Sequence, residues 1–439
     1  MTAEDDFDLL VIGGGPAGAT VATLTARRGR RVALIEREAF PRFHIGESLL
    51  PAGNPVLKRL GVWDDLLTGG FPRKYGADFL DATGTRAVHN IFARGILPVD
   101  EHTFQVERAR FDALLLDKAR AAGVVVIRDR VSELESLDDS GCRLVLASGR
   151  RLRGGKIADA SGRDGVVARA LRVPCDPLPY PPKIAVYGHF TGVRRQEGRR
   201  GGNITIVRLP GGWFWSIPLD EEKTSVGVVA PVSAYKAAKL DPEDWFARCR
   251  DSSPFLREWM SGAERLGDVH VTADYTFQRT VFAGRHHFLV GDAAAFIDPI
   301  FSSGVCLAMG AAAEVADYLA EGDRCREPVP EAVARAYTRR WKRRILTMRR
   351  LIEVFYDPAG SAVFLQPRNK FRLFDAVNSV VAGHTALPWQ VAWRFRLFLL
   401  IVALNKRFRF LGTIDDLPPC EPCPEARIDR DHLGLSSCR

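Results

Sequence analysis

The segment Phe7-Asp-Leu-Leu-Val-Ile12-Gly13-Gly-Gly15-Pro-Ala17-Gly18 constrains this chain more than any other. A short apolar run stops at a glycine, and small residues at helical spacing follow as far as Arg28. Arg31-Val-Ala-Leu-Ile35 is a second apolar run, closed by Glu36. Strand, glycine turn, helix and strand within about thirty residues make one βαβ unit. In that context the G-x-G-x-x-G spacing predicts a dinucleotide site at Gly13, Gly15, Ala17 and Gly18. Gly13 permits the tight turn, Gly15 lets backbone approach a pyrophosphate, and Gly18 lets helix pack on strand. The helix N-terminus adds N–H donors and a positive dipole end. Glu36 is placed to accept from ribose hydroxyls and would repel a 2′-phosphate, with Arg37 beside it. The alternative is a glycine turn that joins strand to helix and holds nothing.

The chain has 439 residues, which predicts two to three domains rather than one core. Apolar residues make up 46% and charged residues 26%, which excludes a disordered or fibrous chain. Lys and Arg number 62 against 53 Asp and Glu, a net charge of +9. That excess favours anionic ligands or partners. No basic segment with interleaved aromatics reads as a nucleic-acid module. The eight cysteines are scattered, and Cys420-Glu-Pro-Cys423 is a lone C-x-x-C without a matching pair, so no metal site is expected. The acidic start Met1-Thr-Ala-Glu-Asp-Asp6 lacks the basic region of a secretory signal, and a cytoplasmic location is expected.

The texture of the chain suggests an α/β fold, α+β overall. A Rossmann-like dinucleotide domain opens it at 1–173. Short β-branched runs at Ile184–Phe190, Gly202–Leu209, Trp213–Pro218 and Ser225–Val229 predict an antiparallel sheet inserted at 174–275. His287-Phe-Leu-Val290 restores the buried-strand texture, so the first domain resumes over 276–350, with strong helix from Ala308 to Leu351. His286 and His287 read as surface or strand-edge residues. A helical region over 351–439 is expected to cap the substrate. Its apolar run Leu397–Leu404, flanked by Arg394, Arg396, Lys406, Arg407 and Arg409, is too short to span a bilayer. Burial against the core with a basic outer face is the favoured reading, and weak membrane contact the other.

Several motifs point to one class. Phe288-Leu-Val-Gly291-Asp292 resembles the second FAD fingerprint of the FAD-dependent monooxygenase and halogenase superfamily. The resemblance runs from about residue 7 to about residue 350, on a Rossmann-like frame. It implies FAD as cofactor, with Asp292 on the ribityl chain. By the same resemblance Asp159, in Asp159-Ala-Ser-Gly162-Arg163, and Arg108 are flavin contacts. Glu47 and Ser48, in Gly46-Glu-Ser, are placed over the flavin ring. A single G-x-G-x-x-G leaves no second nucleotide domain, so reductant must visit transiently or a separate flavin reductase must deliver reduced FAD.

Trp213-Phe-Trp215-Ser-Ile217-Pro218 matches the W-x-W-x-I-P motif of flavin-dependent halogenases, whose indoles wall the flavin off from the substrate. The alternative is an aromatic packing patch. Phe296-Ile-Asp-Pro299-Ile-Phe-Ser302-Ser303-Gly304 resembles their F-x-x-P-x-x-S-x-G halide motif, with chloride or bromide at Ser302, Ser303 and Gly304, and with Pro299, Gly304 and Val305 against the flavin. The alternative is a helix start that faces the flavin and binds no halide. Tryptophan halogenases carry a glutamate where this chain has Phe301, and the version here resembles halogenases of phenols and pyrroles. Lys74, in Phe71-Pro-Arg-Lys74-Tyr-Gly76, matches the family's active-site lysine.

The resemblance implies a reaction. Halide is oxidised at reduced FAD with O2, and hypohalous acid travels an internal tunnel to Lys74. Electrophilic substitution on an electron-rich aromatic ring follows. Such substrates are free phenols or acyl groups on a carrier protein, and the Arg-rich helix from Arg335 to Arg350 is a candidate surface for an acidic acyl carrier. The competing reading is a halogenase-like reductase or monooxygenase of an isoprenoid substrate. It resembles geranylgeranyl reductases in the FAD motifs and in Val305–Glu314. A non-enzymatic flavin carrier is a third reading.

Overall fold

The computed structural model describes residues 5–273 and 276–414. Cys420 and Cys423 lie outside the described residues. Two seven-stranded sheets share one body with the helices packed on them.

The first sheet grows from the βαβ unit. Strand Asp5–Ile12 lies between Val32–Glu36 and Arg151–Asp159, parallel to both, and Val125–Arg128 extends the parallel set beyond Val32–Glu36. Strand Arg151–Asp159 has a divided edge. Its first half pairs antiparallel with Gly141–Leu146, which continues to Val131–Asp138, and its last residues pair parallel with His287–Leu289. The chain therefore leaves this sheet, builds the second one and returns. Helices Pro16–Ala26, Arg108–Ala121 and Ser303–Leu319 accompany the sheet, and the first packs along both of the others.

The second sheet runs Glu264–Ala273, Lys183–Thr191, Thr224–Pro231, Gly212–Pro218, Ile204–Leu209, Gly76–Leu80 and Ala87–Ile91. All neighbours are antiparallel except Ile204–Leu209 with Gly76–Leu80. The last two strands come from residues 76–91, outside the segment that the β-branched texture marks. In strand Gly212–Pro218 the period of two sorts the faces. Trp213, Trp215 and Ile217 join the main core, whereas Phe214 joins a second core with Trp245, Phe246 and Leu256.

The expected helical run from Ala308 to Leu351 is two helices, Ser303–Leu319 and Glu331–Tyr356. Between them Gly322 takes a positive φ, and Pro328 and Pro330 cannot donate to a helical ladder. Glu331–Tyr356 buries Ala334, Tyr337, Trp341, Ile345, Met348, Ile352 and Phe355, a stripe at three- and four-residue steps. Helix Trp389–Phe408 buries Val391, Phe395, Phe398 and Val402 and leaves Trp389, Leu400, Leu404 and Phe408 exposed. No described helix is long and apolar enough to cross a membrane. His286 and His287 correct the reading of them as surface residues: both are buried, because strand His287–Leu289 enters the sheet beside Arg151–Asp159.

The junction of helix Pro16–Ala26 with its strand tolerates no side chain. A Cβ on Gly18 would sit 1.9 Å from the Gly13 carbonyl oxygen, whereas one on Gly304 would meet nothing within 4 Å. Gly18→Ala is therefore expected to destabilise the protein by about 1–3 kcal/mol, as overpacked cores do. Gly304→Ala is expected to leave stability within about 0.5 kcal/mol. Thermal unfolding of the two variants checks the contrast.

Candidate active site

The carboxyl ends of the parallel strands open into a cavity of about 530 Å³. Its floor is the turn after Ile12, the end of Val32–Glu36, and residues 129–131 and 160–164 that follow two further strands. Its roof is the second sheet, through Ala185, Tyr187, Ile204, Trp213, Trp215 and Ile217. Its far end is the start of helix Ser303–Leu319, through Pro299, Ser302, Gly304 and Val305. A crevice at the carboxyl ends of parallel strands is where ligands bind in such sheets.

At one end the Glu36 carboxylate accepts the Gly14 N–H at 2.6 Å and the Glu38 N–H at 2.8 Å. A carboxylate has about four acceptor sites, so ribose hydroxyls remain within its capacity. Gly13, with φ +101°, turns the chain, and an added Cβ there would lie 2.3 Å from the Ala160 oxygen. At Gly15 the nearest atom to an added Cβ is an Arg42 guanidinium nitrogen at 3.7 Å, so backbone approach is open. Arg37 lines this end too.

Farther along, Arg108 is held in place by others. Its Nε and Nη2 reach both oxygens of Asp112 at 2.7 and 2.8 Å, and Nη1 donates to the Ile45 oxygen at 2.7 Å. Such a bidentate pair leaves little rotational freedom. Asp292 also lines the cavity, where burial pushes its carboxyl up to about 6 against the opposing pull of Arg108 and Arg163. Glu47 lines the roof side, and His189 shares a bond of 2.9 Å with it.

At the far end the chain enters helix Ser303–Leu319 through Ser302, in the left-handed region with φ +56°. The Ser303 hydroxyl is buried and has no hydrogen-bond partner among the described residues. The indoles of Trp213 and Trp215 stand side by side, ring centres 5.7 Å apart, and both line the cavity.

Lys74 is fully buried and lies outside the cavity lining. Its Nζ donates to the Ser48 hydroxyl at 2.8 Å and to the Leu49 carbonyl at 2.9 Å. Ser48 lines the cavity, so one side chain separates lysine from cofactor space. No carboxylate pairs with Lys74 among the described residues, and burial pushes its ammonium down to about 7.

Most expected residues therefore meet around one cavity, and six do not line it. Gly18 and Gly291 pack behind it, Pro218 ends its strand, and Ser303 and Lys74 lie one layer deeper. Asp159 does not line the cavity. Its carboxylate accepts from the Ser161 hydroxyl at 2.6 Å and the Val167 N–H at 2.8 Å, which ties the strand to helix Val166–Ala170. Arg42, Tyr187 and His189 were not foreseen. They sit on no glycine motif, and only pairing of distant strands brings Tyr187 to the roof and His189 against Glu47. The described residues hold no His, Cys, Asp or Glu cluster suited to a metal.

The lining fits FAD: a carboxylate at the ribose end, an open glycine turn at a helix N-terminus, fixed cations midway and an aromatic wall at the far end. The Arg108 pair is expected to be costly to break. Asp112→Ala strands a buried guanidinium and should cost about 3–5 kcal/mol in denaturant unfolding. Asp117→Ala, which breaks the exposed Asp117–Arg120 pair on the same helix, should cost under about 1 kcal/mol.

The comparisons with known proteins agree. The family model described as tryptophan halogenase matches residues 8–101 and 93–382. A 1H-pyrrole-2-carbonyl-(peptidyl-carrier protein) chlorinase of Pseudomonas fluorescens is 31% identical over 336 residues, covering 71% of this chain and 75% of that protein. The flavin-dependent brominase Bmp2 superposes with a TM-score of 0.80 at 28% identity, over 92% of this chain and 99% of that one. A flavoprotein/dehydrogenase from Cytophaga hutchinsonii superposes with a TM-score of 0.82 at 27% identity, over 92% and 100%. With its glycine turn and paired indoles around one cavity and its buried lysine one layer behind, the chain belongs to the tryptophan halogenase family and is an FAD-dependent halogenating oxidoreductase.

Proposed function

We propose that this enzyme halogenates an electron-rich phenolic or pyrrolic ring, with Lys74 presenting the halogen to the substrate. The observation that carries the reading is the isolation of Lys74: fully buried, unpaired with any described carboxylate, and one hydroxyl from the cavity. FAD, reduced by a separate flavin reductase, supplies the oxidation of halide by O2. The protein's own residues do the rest. Ser302 and the N–H groups that open helix Ser303–Leu319 receive the halide. Trp213 and Trp215 keep the substrate from the flavin. Hypohalous acid that passes Ser48 reacts with the Lys74 amine, forming an N–halogen bond and releasing water, and the amine lone pair is free only when it is unprotonated.

Phe301 bears on the substrate. It packs with Phe79, Phe355 and Phe364, ring centres 5.4–6.2 Å apart, in a buried apolar cluster. An apolar wall suits a neutral ring and offers nothing to an amino acid's ammonium. The pyrrole chlorinase that the chain resembles acts on a carrier-bound acyl group, and a carrier is the partner proposed here. Arg339, Arg343, Arg350 and Arg396 have no carboxylate partner among the described residues and line a groove of about 650 Å³ between helices Glu331–Tyr356 and Trp389–Phe408. Their charge suits an acidic carrier.

Supplied with reduced FAD, O2 and bromide, the enzyme should brominate a phenol or a carrier-bound pyrrole, with product followed by mass. Lys74→Ala should abolish product while flavin oxidation continues. Product without halide dependence, or flavin oxidation that yields none, would favour a reductase or monooxygenase. The rate should rise with pH through about 7 and fall about tenfold per unit below it, because the protonated lysine has no lone pair to offer. Arg343→Glu with Arg350→Glu should raise KM for a carrier-bound acceptor about tenfold at low salt and leave a free phenol unaffected.

A further inference from the structure

Beside the cavity a largely buried polar chain ties Trp213 to three residues with no part in the steps above. Asp298 precedes Pro299 in the anion segment and is 3% exposed. One carboxylate oxygen accepts the Ile300 N–H at 3.1 Å, inside the turn that leads to Ser302. The other accepts from Lys183 Nζ at 2.8 Å and from the Tyr356 hydroxyl at 2.7 Å. The Tyr356 oxygen in turn accepts from Trp213 Nε1 at 2.7 Å. Lys183 Nζ also lies 3.4 Å from the centre of the Tyr356 ring.

The chemistry leaves one direction for this chain. An indole N–H and an ammonium only donate, and an ionised carboxylate only accepts, so Tyr356 must accept from Trp213 and donate to Asp298. Lys183 balances the buried charge and makes the bonds to Asp298 charge-assisted. Strand Lys183–Thr191, the long helix and the turn meet at this one carboxylate, and strand Gly212–Pro218 joins them through Tyr356. A turn that carries Ser302 at φ +56° holds its shape only if its surroundings fix it.

We propose that Asp298, Tyr356 and Lys183 are positioning residues that lock the Trp213 wall to the halide turn. Halide affinity and the share of oxidised halogen that reaches substrate are then set together. The inference rests on the assignment of the halide to Ser302–Gly304. It predicts that the tyrosine hydroxyl, which lies outside the cavity lining, governs both quantities.

The test is Tyr356→Phe, which keeps the ring over Lys183 and removes both hydroxyl bonds. Bromide KM is expected to rise five- to tenfold with kcat changed less than twofold. Brominated product per O2 consumed is expected to fall at least twofold. In the flavin-free protein, hydrogen exchange of the peptide containing Ile300 is expected to quicken several-fold. Trp213→Phe should act in the same direction, and the losses in the double variant should be less than additive, since both variants break the Trp213–Tyr356 bond. Tyr337→Phe is the control. It loses a hydroxyl bond to the Leu289 carbonyl on the same long helix and should leave bromide KM unchanged. Unchanged bromide KM and exchange in Tyr356→Phe, or additive losses in the double variant, would overturn the inference. If the parent enzyme brominates nothing, the functional reading falls, and the Ile300 exchange rate alone decides whether wall and turn are coupled.

Discussion

The contact between Gly18 and the Gly13 carbonyl is the constraint on which the rest of the site depends. At 1.9 Å from an added Cβ, helix Pro16–Ala26 rests directly on the turn that leaves its strand. That closeness aims the helix N-terminus into the cavity and leaves Gly15 open beneath it. The same helix packs along Ser303–Leu319, whose own start carries the anion turn. Both ends of the cofactor cavity are thus referred to one helix. A shift there would move the glycine turn and the start of helix Ser303–Leu319 together.

Two buried lysines show how one protein uses the same charge in opposite ways. Lys183 has a carboxylate at 2.8 Å and an aromatic ring beneath it. Such a cation ties strand, helix and turn together and holds structure. Lys74 has a hydroxyl, a carbonyl and the Phe92 ring, with no described carboxylate. Burial without a counter-ion disfavours the ammonium, and a lysine near neutrality becomes a usable amine.

Much of this was legible in the sequence because it is local. The first βαβ unit, the indole strand and the anion turn each lie within a short run whose periodicity or glycines declare it. Lys74 was found by its motif, but its burial was not visible, because Ser48 and Leu49 that surround it come from a distant loop. Strands Gly76–Leu80 and Ala87–Ile91 escaped notice. Asp78 and Asn90 are polar residues at buried positions, which breaks the apolar pattern that marks a strand. A motif states which residue is present and not which way its carboxylate turns, and that of Asp159 turns to Ser161 and Val167. Tyr356 and Asp298 carry no signal, since 58 residues separate the two partners of their bond.

The most direct test is diffraction from crystals grown with FAD and bromide, recorded at the bromine absorption edge. One strong anomalous peak within hydrogen-bond distance of the backbone N–H groups of Ser303 or Gly304, beside the flavin, is the expected result. Ordered FAD with no bromide at that turn would contradict the assignment of the halide site and the route to Lys74 built on it.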